Sequence, residues 1–209
     1  MLEAEHISYR FADTQPWIIQ NATLRIAPGE VVGLHGHSGE GKTTLAKILA
    51  GYLMPDKGTV RVDQAPLPSK GYCPVQMVFQ HPETVLNPRW CIRDSLLEAG
   101  TVPDERLRHF QLKKEWLERK PHELSGGELQ RIAIARVLGT GTRYLLADEI
   151  TTMLDAITQV QIWTALLAVA KKKNIGAMVI SHDAQLIKRI CDRVINIAGI
   201  QWKGGDTTL

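Results

Sequence analysis

The sequence is poor in cysteine. Only Cys73, Cys91 and Cys191 occur in 209 residues, with no CxxC pair among them. That pattern excludes a disulfide framework and a CxxC zinc site, and points to a reducing compartment, the cytoplasm. Charge of one sign is scarce as well. The 25 basic and 22 acidic residues leave a net +3, too mild a surplus to argue for nucleic acid as a partner. No apolar run approaches the roughly 20 residues of a membrane-spanning helix, so any work at a membrane has to be done by docking onto another chain. The opening Met1-Leu2-Glu3-Ala4-Glu5-His6 is acidic and lacks an apolar stretch behind it, so no secretory leader is expected. Internal repeats and low-complexity tracts are missing too. What is left is an ordinary globular composition, 44% hydrophobic and 22% charged, long enough for one core and too short for two full-sized domains.

Within that plain background one stretch carries chemistry. Gly36-His37-Ser38-Gly39-Glu40-Gly41-Lys42-Thr43-Thr44 fits G-x-x-x-x-G-K-[ST], the phosphate-binding loop. Val31 to Leu34 precedes it as a buried strand, and Leu45, Ile48, Leu49 and Tyr52 follow at helical spacing. A loop between a strand and a helix N-terminus presents backbone N–H groups and the positive end of the helix dipole to an anion. Gly36, Gly39 and Gly41 let phosphates approach without a Cβ in the way. Lys42 can reach β- and γ-phosphates, and the Thr43 hydroxyl can coordinate Mg²⁺. Glu40 is an acid inside an anion-binding loop, and its side chain is expected to point to solvent.

Strands are predicted at Ile7–Phe11, 17–19, 22–26, 59–63, 75–79, 144–147, 177–180 and 193–197. Helices are predicted at Ser95–Ala99, Glu105–Arg119, from Leu129 to Val137, after Asp155 with Val160, Trp163, Leu167 and Ala170 on its face, and at about Ala184–Cys191. Gln64 to Gly71 reads as a loop. Strands alternating with helices imply a largely parallel sheet covered on both faces. Residues from about His81 to Glu123, with four prolines, read as a small inserted helical subdomain.

Further positions have both a chemical and a plain reading. Ser125-Gly126-Gly127, opening a helix, forms a second anion-binding turn or simply an N-cap. Asp148-Glu149 at a strand end can hold Mg²⁺ and polarise a water, or can be an acidic strand end facing solvent. His182, after another buried strand, can hydrogen-bond a γ-phosphate or be structural. Gln80 can reach Mg²⁺ or the attacking water. Tyr9 can stack on a purine or fill the core. Lys171-Lys172-Lys173 reads as a solvated helix end, where cations are favoured.

In this order and spacing the motifs resemble the ATP-binding subunit of ABC transporters, over nearly the whole chain. Leu124-Ser125-Gly126-Gly127-Glu128-Leu129-Gln130-Arg131 matches that family's signature almost letter for letter. The resemblance implies an α/β P-loop NTPase: a mostly parallel sheet, an N-terminal antiparallel β-subdomain, and a helical subdomain at about 81–124, all within one ATP-binding domain spanning 1–209. It implies ATP and Mg²⁺ as ligands. Tyr9 would stack on adenine; Gly36, His37, Ser38, Gly39, Glu40, Gly41, Lys42, Thr43 and Thr44 would form the Walker A loop. Thr43, Gln80 and Asp148 would serve Mg²⁺, and Glu149, His182 and Gln80 the catalysis. Ser125, Gly126 and Gly127 would contact nucleotide held by a second ATP-binding subunit, identical or related. Thr152-Met153-Leu154-Asp155 stands at the D-loop, which commonly begins Ser-Ala.

Val78-Phe79-Gln80-His81-Pro82, leading into Leu86-Asn87-Pro88-Arg89, resembles the peptide/nickel uptake branch, as does Pro121 to Gly127. That likeness implies a motor at the inner face of the cell membrane, bound to permease subunits and importing peptides, nickel or a related small solute or metal complex. The helical insert is shorter than usual for that branch, and the chain ends soon after Gly204-Gly205, without the branch's usual extension. A soluble ABC-type ATPase of a cytoplasmic enzyme complex is therefore the alternative.

Overall fold

A computed structural model describes residues 1–98, 100 and 104–200. The opening half is β1 (Leu2–Tyr9), β2 (Ile19–Ile26), β3 (Val31–His35), α1 (Lys42–Leu49), β4 (Lys57–Val62), β5 (Ala65–Pro66) and β6 (Val75–Val78). Then come α2 (Ile92–Leu97), α3 (Asp104–His109), short 3₁₀ turns at Lys114–Glu118 and Pro121–Glu123, and α4 (Gly126–Val137). The remainder is β7 (Tyr144–Asp148), α5 (Ala156–Lys172), β8 (Gly176–Ile180), α6 (Ala184–Ile190), β9 (Arg193–Asn196) and α7 (Ile197–Ile200).

Two sheets result. One is antiparallel, in the order β2-β1-β4-β5. The other is parallel throughout, in the order β6-β7-β8-β3-β9. The parallel strands read as unbroken apolar runs because both their faces are covered. Alternation along β7 shows it. Tyr144 and Leu146 join the core shared with the antiparallel sheet and α1, while Leu145 and Ala147 join the core shared with α4 and α5.

Several predicted boundaries move, each for a local reason. β1 starts at Leu2 and stops at Tyr9, whereas Ile7–Phe11 was expected; His6 adopts φ 55° at a bulge, so Leu2, Ala4 and Ile7 all reach the core although the spacing changes phase. The two runs at 17–19 and 22–26 are one strand beginning at Ile19. The expected loop 64–71 contributes the two-residue strand β5. α1 ends at Leu49, before a left-handed Gly51, so Tyr52 leaves the helix and meets Phe79 edge-on at 5.5 Å.

The single helix expected over Glu105–Arg119 breaks after His109, where Gln111 turns left-handed at φ 53°. The earlier helix spans Ile92–Leu97; Ala99, its expected end, lies outside the described residues, as do Gly204 and Gly205. α5 is capped by Asp155, whose carboxylate accepts from Thr158 N at 2.9 Å. Its buried face is Ile162, Trp163, Leu166, Val169 and Ala170; Val160 is exposed and Leu167 half-buried. β9 stops at Asn196, and buried Ile197 starts α7.

Candidate functional site

A parallel sheet delivers the C-terminal end of every strand to one edge, where such folds bind ligands. Registers keep these ends level: Val78 pairs with Ala147, Asp148 with Ile180, and Leu34 with Ile180. Gln80, Asp148-Glu149, Ser181-His182 and the loop from Gly36 therefore emerge side by side, after β6, β7, β8 and β3 in that order.

The loop needs its glycines for stated reasons. Gly41 stands at φ 90°, and a Cβ there would meet Ile18 Cγ2 at 3.0 Å and Ile18 O at 3.2 Å. α1 begins immediately after, with no side-chain cap and no acid in its first turn. Its leading N–H groups and its dipole are thus directed to whatever anion lies in the loop. Lys42 is buried, and its Nζ donates to Gly36 O at 2.8 Å and His37 O at 2.6 Å, which lays the ammonium across the loop. Glu40 does not point to solvent as expected. Its Oε2 accepts from His37 N at 2.7 Å and covers Gly36, where a Cβ would sit 2.6 Å from that oxygen. An otherwise unpaired backbone N–H draws the carboxylate back, as in other local turns closed by acidic side chains.

Asp148 is buried, with the Thr43 hydroxyl near enough to favour its charged form. Burial pushes its pKa above the ordinary range; the Thr43 hydroxyl opposes this, the charge of Glu149 adds to it, and Lys47 and Lys42 pull back. A buried carboxylate with a hydroxyl nearby supplies hard oxygen donors of the kind that suit Mg²⁺. Among the described residues no group of three or more His, Cys, Asp or Glu could hold a metal by itself, so an ion here would share ligands with phosphate oxygens.

Glu149 turns left-handed at φ 50°, its N–H donating to Ile180 O at 3.0 Å. That turn aims the side chain across to the neighbouring strand end, where Oε1 lies 2.7 Å from His182 Nε2. Gln80 Nε2 donates to Thr152 Oγ1 at 3.4 Å, and Thr152 Oγ1 donates to Glu149 O at 3.0 Å.

Tyr9 ends β1, half-buried, in edge contact with Phe11 at 5.4 Å. Its carbonyl accepts from Ile18 N at 2.9 Å, and Ile18 in turn borders Gly41, so the antiparallel sheet reaches the phosphate loop through this residue. Ser125 lies elsewhere, at the start of α4. It forms a reciprocal cap with Glu128: Ser125 N donates to Glu128 Oε2 at 2.8 Å, and Glu128 N donates to Ser125 Oγ at 3.4 Å. Gly127 borders Leu154 and Thr158, whereas a Cβ on Gly126 would meet nothing within 4 Å. The turn is therefore open at Gly126 and packed on one side only, at Gly127.

Three contributors escaped sequence reasoning. Ile18 closes over Gly41, Lys47 adds to the field at Asp148, and Ser181 accepts from Asp183 N at 3.0 Å. For Ser181 the signal was its place beside His182; for Ile18 and Lys47 nothing in the spacing pointed to them.

A family profile described as "ABC transporter" matches residues 19–152. A nickel import system ATP-binding protein, NikE, of Staphylococcus aureus strain bovine RF122 / ET3-1 is 36% identical, the match covering 93% of this chain and 85% of that protein. The NikE of strain MSSA476 is 35% identical over the same shares. Among solved structures, the ATP-binding cassette MJ0796 in a dimeric post-hydrolysis state with ADP and Pi superposes with TM-score 0.79 at 26% identity, covering 94% of each chain. CbiO1 from Clostridium perfringens, part of the ABC transporter complex cbiONQ, gives 0.78 at 26% identity, over 93% of this chain and 83% of that one. The chain belongs to the ABC transporter family, as one of its ATP-hydrolysing nucleotide-binding subunits.

Proposed function

We propose that the chain powers a membrane importer by hydrolysing ATP at a site shared between two ATP-binding subunits, and that the cargo is nickel, a peptide or a related small solute or metal complex. The observation that carries the chemistry is the Glu149–His182 contact of 2.7 Å beside a phosphate loop and the Thr43–Asp148 pair. The loop from Gly36 to Thr44 would wrap the phosphates by its N–H groups, Lys42 would neutralise the β- and γ-phosphates, and Tyr9 would stack on the base. Thr43, Asp148 and Gln80 would hold Mg²⁺, which when bound offsets phosphate charge. Glu149 accepts the proton of the attacking water, with His182 fixing the carboxylate and contacting the γ-phosphate. Ser125, Gly126 and Gly127 of a second subunit, identical or related, complete the pocket. The open space at Gly126 suits an incoming phosphate group.

The importing role is supported by the nickel import names of the relatives. Among the described residues no helix is long and apolar enough to cross a membrane, so permease subunits would supply the pathway, with this chain docked at the inner face. Affinity capture of the tagged chain from gently solubilised native membranes tests the reading. Recovery of a multi-span permease is expected; recovery of soluble enzymes alone would contradict it.

A further inference from the structure

α3 carries a charge that the fold does not answer. Arg106 is only 6% exposed, yet among the described residues its Nε and Nη1 have no hydrogen-bond partner. Two guanidinium nitrogens sealed from solvent without partners are costly, because water has been removed from them and no acceptor put in its place. The neighbouring carboxylate is already engaged, Glu105 being paired with Lys172. Lys173 adds a second cation close by. Burial draws the pKa of both groups down; for Lys173 the Arg106 and Lys172 charges add to this and the Glu105 charge opposes it.

Arg106 and Lys173 border one cavity of about 110 Å³, walled by Leu138 and Val169 and rimmed by the Glu105–Lys172 pair. That volume is well under the roughly 300 Å³ at which pockets for drug-sized molecules begin, so an occupant has few atoms. The place is remote from the phosphate loop. α5 runs back from the active edge and ends at Lys172, shortly before β8 starts at Gly176. α4 and α5 present their carboxyl-terminal ends to the cavity, which do not attract an anion, and α3, which enters it by its first turn, is only six residues long; attraction has to come from the side-chain cations.

We propose that this cavity binds a small dianionic oxyanion, phosphate or sulfate, between Arg106 and Lys173. Among the described residues neither buried Arg106 nor Lys173, exposed at the rim, forms an ion pair with an acid, and the two together match two negative charges. The fork of guanidinium N–H groups and an ammonium call for several acceptor oxygens on one ion.

The test is thermal melting of the full chain in titrations of sodium sulfate and sodium phosphate, with ionic strength held constant by chloride. The parent is compared with Arg106→Met and Lys173→Gln. The phosphate loop is the same in all three chains, so its own response to anions cancels, whether or not that loop serves ATP hydrolysis. At about ten times Kd, sulfate is expected to raise the parent's Tm by about 3–6 °C and to raise each variant by less than half as much. Without oxyanion, Arg106→Met is expected to melt no lower than the parent, since a bare buried charge has been removed. Equal shifts in all three chains overturn the proposal. So does acetate matching sulfate, or an Arg106→Met chain that melts well below the parent in chloride alone.

Discussion

At the scale of single residues, the site depends on which polar atoms are already engaged. Lys42 is held by two loop carbonyls and Glu149 by His182, while Asp148 is buried near Thr43. Glu40 is the unusual member. It closes the loop by accepting from His37 N, yet it places a carboxylate where phosphates are to come. The two effects separate in Glu40→Gln, whose amide oxygen can keep the hydrogen bond while the charge is gone. Loss of one like charge near the phosphates is worth about 1 kcal/mol through a partly wet path. ATP affinity should therefore rise about threefold to tenfold, read by titration with a fluorescent nucleotide. Unchanged or weaker affinity would mean that the charge itself holds the loop in shape.

At the scale of elements, α4 links two parts of the site. Its first turn carries Ser125 and the two glycines, while buried Gln130 donates to Phe79 O at 3.5 Å, next to Gln80. Because a Cβ on Gly126 meets nothing within the chain, Gly126→Val should leave the melting temperature within about 2 °C, a surface-type effect. ATP turnover should nevertheless fall by at least about tenfold, as the side chain blocks the face meant for the partner's nucleotide. Full activity in that variant, by phosphate release, would remove the turn from the site.

The elements that bear the site were the most legible in the sequence. Val31–Leu34, Tyr144–Ala147 and Ala177–Ile180 are covered on both faces, so their runs allow no other reading, and the residues just after each run have to stand at one edge. β1 was less legible because the His6 bulge resets its alternation. The helical insert was less legible because its helices are six residues or fewer and broken by Gln111. The direction of Glu40 could not be read at all, since spacing places a side chain on a loop but does not say which backbone N–H it will find.

At the scale of the whole molecule, the proposed composite site draws two half-sites from each chain: the phosphate loop at the strand edge and the Ser125 turn at the start of α4. Head-to-tail pairing of two such chains closes by two-fold symmetry and uses both halves twice. If a second copy is the partner, Glu149→Gln should accumulate as a dimer with saturating Mg-ATP and return to monomer with ADP, as followed by light scattering. A monomer under both conditions would assign the second half-site to a related subunit.

In the proposed mechanism Glu149, aimed by its left-handed turn and by His182, is the base that activates water for ATP hydrolysis. The direct measurement is ATP binding and turnover by purified Glu149→Gln beside the parent chain. Binding should be unchanged, and turnover should fall about 10²- to 10⁴-fold, the usual weight of a positioned general base. Turnover within a factor of about two of the parent, at the same affinity, would contradict the account.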